Sequence, residues 1–161
     1  MYKNKKIILF SFASLDLARS ADRLMAQANS SNYYDEIKIL SPKDFDESMK
    51  KKFTEIIYNR QYRGYGYWFW KPFFLKKIMN EINTNDIINY VDIGCHLQNR
   101  NSRFTEYLDL LVDTDKWILP FQYCYKKEDF DEGISFPDRE EFKYTKGDLL
   151  DYFGFLNNKA V

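Results

Sequence analysis

Hydrophobic side chains arrive along this chain in two alternating rhythms, one continuous and one at helical spacing. Residues 7–13 are an almost unbroken apolar run after a lysine-rich start, which predicts a strand buried on both faces. Leu17, Ala21, Leu24, Met25 and Ala28 then recur at helical spacing, predicting a helix over 16–28 with Ser14 or Asp16 as its N-cap. The polar stretch 29–32 stops it, and a second short strand is expected over 36–40, closed by Ser41-Pro42. Residues 45–62 read as helical in part, with Phe53, Ile56 and Ile57 as the apolar stripe. Gly64 and Gly66 loosen the chain ahead of Pro72, which suits the first turn of a helix over 73–82, where its missing N–H costs nothing. Phe74, Leu75, Ile78, Met79 and Ile82 form the expected inward face of that helix. A third strand is expected over 86–93, then a helix capped by Ser102 and ending near Leu111, and a fourth strand over 117–123. An acidic segment, 126–139, reads as an exposed loop, and Thr145 caps a last helix over 146–152, ended by Gly154.

Strands alternating with helices predict an α/β fold: a mostly parallel sheet with helices on both faces. No internal repeat or low-complexity linker divides the chain, and 161 residues suit a single domain, 1–161, with a real core. Lys and Arg number 24 and Asp and Glu 24, so no global field draws the protein to nucleic acid or to an acidic membrane. The local runs Lys3, Lys5, Lys6 and Lys50, Lys51, Lys52 read as solvated faces or, failing that, as short contacts beside a membrane. Aromatic residues make up 19% of the chain, which suits stacking on sugars or bases and equally suits a bulky core. Cys95 and Cys124 form neither a disulfide framework nor a CxxC pair. With no signal-peptide pattern and no apolar run of the roughly 20 residues that span a bilayer, the sequence predicts a cytoplasmic protein with at most peripheral membrane contact.

In open α/β sheets, ligands sit outside the carboxyl ends of the strands, and that rule points to two places. One is the turn Ser11-Phe12-Ala13-Ser14, leading into a helix whose N-terminus favours anions. It lacks GxGxxG spacing, which disfavours a dinucleotide fold. The other is Asp92, expected at the tip of the third strand. A carboxylate there is a helix cap or the partner of a nearby lysine on one reading, and a ligand for a hard metal ion shared with phosphates on the other. Lys71 similarly reads either as a cation facing a diphosphate or as an ordinary solvent-exposed lysine. Arg23 reaches phosphate or pairs with a neighbouring acid. Trp68 and Trp70 stack on a ligand or pack in the core. His96, the only histidine, reads as a surface or hydrogen-bonded residue, and Cys95 as a small buried side chain.

The run Arg63…Gly-Tyr-Gly-Tyr-Trp-x-Trp-Lys-Pro, some twenty residues ahead of Asp86-Ile-x-x-Tyr-x-Asp-x-Gly-Cys, resembles a group of bacterial sugar transferases of the GT-A class. These are nucleotide-diphospho-sugar transferases associated with lipopolysaccharide and capsule assembly. The resemblance extends to Ser20-x-x-Arg23-Leu24-x-x-Gln27-Ala28 and to Tyr144-Thr145-Lys146-Gly147-Asp148-Leu149, so it covers nearly the whole chain in order. It implies a GT-A-like fold, short at the C-terminus relative to that class, and a sugar donor, a UDP-sugar foremost. Phe12, Ala13, Arg23, Lys71, Asp92 and Gly94 would line the donor site, and Lys146 and Asp148 the acceptor side, where a saccharide or lipid-linked hydroxyl would bind. Asp92 stands where the first Asp of the GT-A Asp-x-Asp motif stands, and would contact a divalent cation, Mn²⁺ or Mg²⁺. Gly94 takes the place of the second Asp, and its backbone could approach the donor sugar instead.

The implied activity is transfer of a glycosyl group from an activated nucleotide sugar to a hydroxyl, with no general base identified among the residues. Two rival readings stand beside it. One is a degenerate transferase domain that only binds a nucleotide or a protein partner. The other takes the aromatic cluster 63–70 as an RNP1-like strand that stacks RNA bases, against which stand Pro72 and the neutral charge.

Overall fold

The computed structural model describes residues 1–58, 66, 68–98, 101–114 and 118–119, all within the compact unit Met1–Leu119. In chain order these are β1 (Ile7–Phe12), α1 (Ala18–Ser31), β2 (Glu36–Leu40), α2 (Glu47–Tyr58), α3 (Trp70–Glu81), β3 (Ile87–Tyr90) and α4 (Asn101–Asp113). The expected acidic loop and last helix, with Cys124, Lys146 and Asp148, lie outside the described residues, as does the expected fourth strand apart from Ile118 and Leu119, which are not assigned to a strand.

The three strands form one all-parallel sheet in the order β2-β1-β3. The uninterrupted apolar run becomes the central strand, every residue of it buried, because only a strand covered on both faces has no use for polar positions. Its alternate side chains feed two separate cores. Ile8, Phe10 and Phe12 pack with Phe45 and Met49 and with Trp70, Phe74 and Ile78 of α3. Leu9 and Ala13 pack on the other face with Leu24 and Ala28 of α1 and with Ile93. Truncating Phe74, which is fully buried, to Ala would cost about 3–5 kcal/mol.

This arrangement follows from connection chirality. The chain leaves β1 for β2 through α1, then passes from β2 across β1 to β3 through α2 and α3. Right-handed crossovers in opposite directions put their helices on opposite faces. The reversal creates a switch point between β1 and β3, where the two connections diverge, the place at which open α/β sheets take their ligands.

Local sequence sets the boundaries, with some departures from the periodicity reading. A short 3-10 turn, Leu15–Leu17, precedes α1, and neither Ser14 nor Leu17 provides a side-chain cap. Asn32 closes α1 in the left-handed conformation (φ 56°), which asparagine tolerates well. At α2, Asp46 accepts a bond from the Met49 amide at 2.7 Å, an N-cap arrangement. α3 begins at Trp70 and not at Phe73, so Pro72 occupies its first turn. Its buried stripe is Trp70, Phe74 and Ile78, four residues apart, while Leu75 (38%) and Met79 (60%) are exposed, contrary to expectation. β3 ends at Tyr90, two residues short of Asp92, which therefore sits in the following loop.

At the opposite edge of the sheet, backbone and side chains are closely tied. Asp35, just before β2, accepts from the Ile7 amide at 2.9 Å and pairs with the N-terminal ammonium at 2.6 Å. Asp86, just before β3, accepts from the Lys6 amide at 2.9 Å. Tyr2 and Lys3 hold α4 through Asp109 and Asp113, with Lys3 Nζ 2.8 Å from each carboxylate. Among the described residues, no helix is long and apolar enough to cross a membrane.

Candidate functional site

Lys71 enters from the first turn of α3, and Asp92 from the loop after β3; they meet beside the switch point. Lys71 Nζ lies 3.3 Å from Asp92 Oδ1. The two are brought there by separate pieces of the fold. Trp70 stacks on Phe12 at the end of β1, with ring centroids 4.2 Å apart, which pins the start of α3 over the carboxyl end of the sheet. β3 pairs with β1 through the register Phe10↔Tyr90, and the Val91 amide continues the ladder to the Phe10 carbonyl at 3.0 Å. Tyr90 and Asp92, two residues apart on nearly extended chain, then share a side.

Three aromatic faces surround the ammonium. Its nitrogen is 4.6 Å from the Tyr90 ring centroid, 5.7 Å from that of Trp70 and 5.8 Å from that of Trp68, all within cation–π range. Tyr90 also donates its hydroxyl hydrogen to Asp92 Oδ1. Burial, and then that hydrogen bond, raise the Tyr90 phenol well above the ordinary tyrosine range, so at neutral pH it is a donor. The Asp92 side chain is 60% exposed and that of Lys71 34%, which leaves both open to a ligand.

Trp68 holds the most unusual backbone of the site. Its φ of 58° falls in the left-handed region, uncommon for a bulky residue and worth about 1–2 kcal/mol of strain. The residue is nonetheless 39% exposed, whereas Trp70 is 4% exposed. The two tryptophans thus separate: Trp70 belongs to the core, and Trp68 stands at the surface beside Lys71.

The remaining sequence-selected residues distribute as follows. Phe12 and Ala13 are at the right end of β1 but buried, the Phe12 ring in one core and Ala13 in the other. Arg23 turns toward the loop after β3. Its Nη2 donates to the carbonyls of Ile93 at 2.9 Å and Cys95 at 3.2 Å. One helical turn later, Gln27 Oε1 accepts from the Leu97 amide at 3.1 Å, and its Nε2 lies 3.4 Å from His96 Nδ1. Arg23 and Gln27 therefore act as a pair at i and i+4 that fixes the loop carrying Asp92. Gly94 is exposed, and a Cβ placed on it would meet nothing within 4 Å. Cys95 is an exposed free thiol, not the small buried side chain its sequence suggested.

Tyr90 and the Arg23–Gln27 pair were given no such roles by sequence reasoning. The signals were present: a Tyr-x-Asp spacing at a strand end, and two long polar side chains one helical turn apart.

The donor set does not fit a divalent ion held by the protein alone. Among the described residues no group of three His, Cys, Asp or Glu side chains converges. The one carboxylate at the site already receives Tyr90 and Lys71 on a single oxygen. A divalent ion about 4 Å from the ammonium would meet a repulsion of roughly 2 kcal/mol in bulk water and about 8 kcal/mol at an effective dielectric of 20. The exposure of both side chains favours the lower part of that range, and the sign is unfavourable throughout.

No family model, curated protein or solved structure matches the chain.

Proposed function

We propose that this domain binds the diphosphate of a nucleotide sugar at the β1/β3 switch point and transfers its sugar to a hydroxyl acceptor, as the GT-A-like resemblance implies. The single observation that carries the reading is the Lys71–Asp92 pair, half open to solvent, at the end of the sheet where α/β domains take ligands. In this reading the Lys71 ammonium offsets phosphate charge, both in the bound donor and on the departing diphosphate. Asp92, oriented by Tyr90, accepts hydrogen bonds from donor hydroxyls. Trp68 supplies a flat face for a base or sugar, and Arg23 and Gln27 position the Asp92 loop without touching ligand. The donor is a UDP-sugar foremost, and the acceptor a saccharide or lipid-linked hydroxyl in surface-polysaccharide synthesis.

A second reading has one observation in its favour. Among the described residues the carboxylate of the site is Asp92, and its Oδ1 already receives Tyr90 and Lys71, contacts that orient it for binding. That suits a domain that holds a nucleotide without turning it over. The RNA-stacking alternative loses its support where the structure describes it: from Trp68 onward the aromatic cluster is a turn and a helix start, not a strand.

The test is a thermal-shift screen of nucleotide sugars, followed by donor hydrolysis and transfer assays. Stabilisation by nucleotide diphosphates together with sugar release supports the transferase. Stabilisation without release supports the binding domain. No response to any nucleotide diphosphate would remove both.

A further inference from the structure

Building on the nucleotide-diphosphate reading, we propose that Lys71 is the built-in cation of this site: its ammonium takes the position against Asp92 that a divalent ion would otherwise fill, so the diphosphate binds without metal.

Four features of the geometry support this. First, the ammonium is already at the carboxylate, 3.3 Å from Oδ1, and Tyr90 donates to that same oxygen, so both of its lone pairs are engaged. Second, the ammonium is held from other directions too. The faces of Tyr90, Trp70 and Trp68 surround it at 4.6 to 5.8 Å, an environment that attracts a cation whether or not Asp92 is charged. Third, its backbone is anchored, because the Lys71 amide donates to the Trp68 carbonyl at 3.0 Å in the first turn of α3. Fourth, among the described residues no three metal-ligating side chains converge here, and two neighbours of Asp92 in sequence add no ligand. His96 Nδ1 faces Gln27 on α1 at 3.4 Å. The position two residues past Asp92, inside the turn that the Cys95 amide closes on the Asp92 carbonyl at 2.9 Å, is Gly94, which has no side chain. A fixed cation among aromatic faces does for phosphate what a metal does elsewhere: it offsets negative charge at a place set before the ligand arrives.

The experiment is a calorimetric titration of UDP into the full chain, once in excess EDTA and once in millimolar MnCl₂, paired with an electron paramagnetic resonance titration of free Mn²⁺ without nucleotide. The expected UDP affinities agree within about a factor of three, and the wild-type protein leaves the Mn²⁺ signal unchanged. Lys71→Glu, which sets a second carboxylate beside Asp92, is expected to gain Mn²⁺ binding at one ion per chain. UDP binding that appears only with Mn²⁺, or stoichiometric Mn²⁺ binding by the wild type, would overturn the proposal and leave the nucleotide reading intact. Absence of UDP binding in both buffers overturns the nucleotide reading and this proposal with it. Should Lys71→Glu lose its fold by circular dichroism, Lys71→Met takes its place. It is expected to weaken UDP about tenfold or more in EDTA, and unchanged affinity would sink the proposal.

Discussion

The two ends of the sheet use the same residue type in opposite ways. At the amino end, Asp35 and Asp86 each sit immediately before an edge strand and spend their oxygens on backbone amides at the start of β1. Asp86 also accepts from the Asn83 amide at 3.1 Å, and Asp35 carries the N-terminal ammonium. At the carboxyl end, the Asp92 carboxylate meets two side chains, Lys71 and Tyr90, and it lies more open than Asp35, with side-chain exposures of 60% and 22%. A carboxylate that serves amides is part of the architecture. One that meets only side chains and lies open to solvent can accept from a ligand as well. The difference gives a criterion for function that asks only what each oxygen is bonded to.

The largest expected effect comes from breaking the amino end. Removing a carboxylate costs about 2 kcal/mol at Asp35, whose partner is the part-buried Ile7 amide, and about 1 kcal/mol at Asp86, whose Lys6 and Asn83 amides are exposed and can turn to water. The double variant Asp35→Ala, Asp86→Ala is therefore expected to lose about 3 kcal/mol in urea unfolding. The acid limb of stability carries the same signature. The N-terminal ammonium, followed by the Ile7 amide, lowers the Asp35 carboxyl below 3.8, and the Lys6 amide is the main cause of the lowering at Asp86. A carboxyl whose folded pKa is depressed contributes stability above its unfolded pKa and loses it as pH falls through the folded one. Wild-type stability should thus be level above about pH 5 and fall below 3.8. The double variant should fall less over the same window, and an equal fall in both would show that other groups control the limb.

At the carboxyl end the effects move from stability to binding. Lys71→Ala is expected to weaken UDP about 30-fold, close to 2 kcal/mol, while leaving uridine affinity unchanged. Equal losses for both ligands would make Lys71 a structural residue. Trp68→Gly tests the strained aromatic. Glycine occupies φ 58° without penalty, so the variant should gain about 1 kcal/mol in stability and bind UDP less tightly. A gain in stability with unchanged binding would assign Trp68 no part in the site.

Much of this molecule was legible from its sequence, and unevenly so. Continuous burial of β1 and the alternation of strands and helices could be read because the hydrophobic effect writes them into local periodicity. The inward face of α3 was half right. Phe74 and Ile78 are core, but the stripe runs back to Trp70, and Leu75 and Met79 face out, since an apolar residue on a helix need not be buried. Lys71 and Asp92 were both singled out, yet their meeting at 3.3 Å depends on the strand order β2-β1-β3, which no local pattern encodes. Arg23 was read as reaching phosphate or pairing with a neighbouring acid, and its contacts are to the carbonyls of Ile93 and Cys95, 70 and 72 residues away. Such a partner is invisible until the chain is folded. Asp35 escaped notice, and Asp86 was read only as a motif and strand position, because an acid before a strand looks like any turn residue.

The smallest expected effect sharpens the comparison most. Asp92→Asn should leave folding stability within about 0.5 kcal/mol of wild type. The pair it forms with Lys71 is largely solvated, and exposed pairs contribute little. The Asn amide oxygen can still accept from Tyr90, and the ammonium keeps its three aromatic faces. UDP affinity, by contrast, should fall, because the amide neither holds the ammonium nor accepts from donor hydroxyls as a carboxylate does. Urea unfolding and UDP calorimetry on the same preparation separate the two. A stability loss above about 1 kcal/mol with unaltered UDP binding would place Asp92 with Asp35 and Asp86 among the structural carboxylates, and the distinction between the two ends of the sheet would not hold.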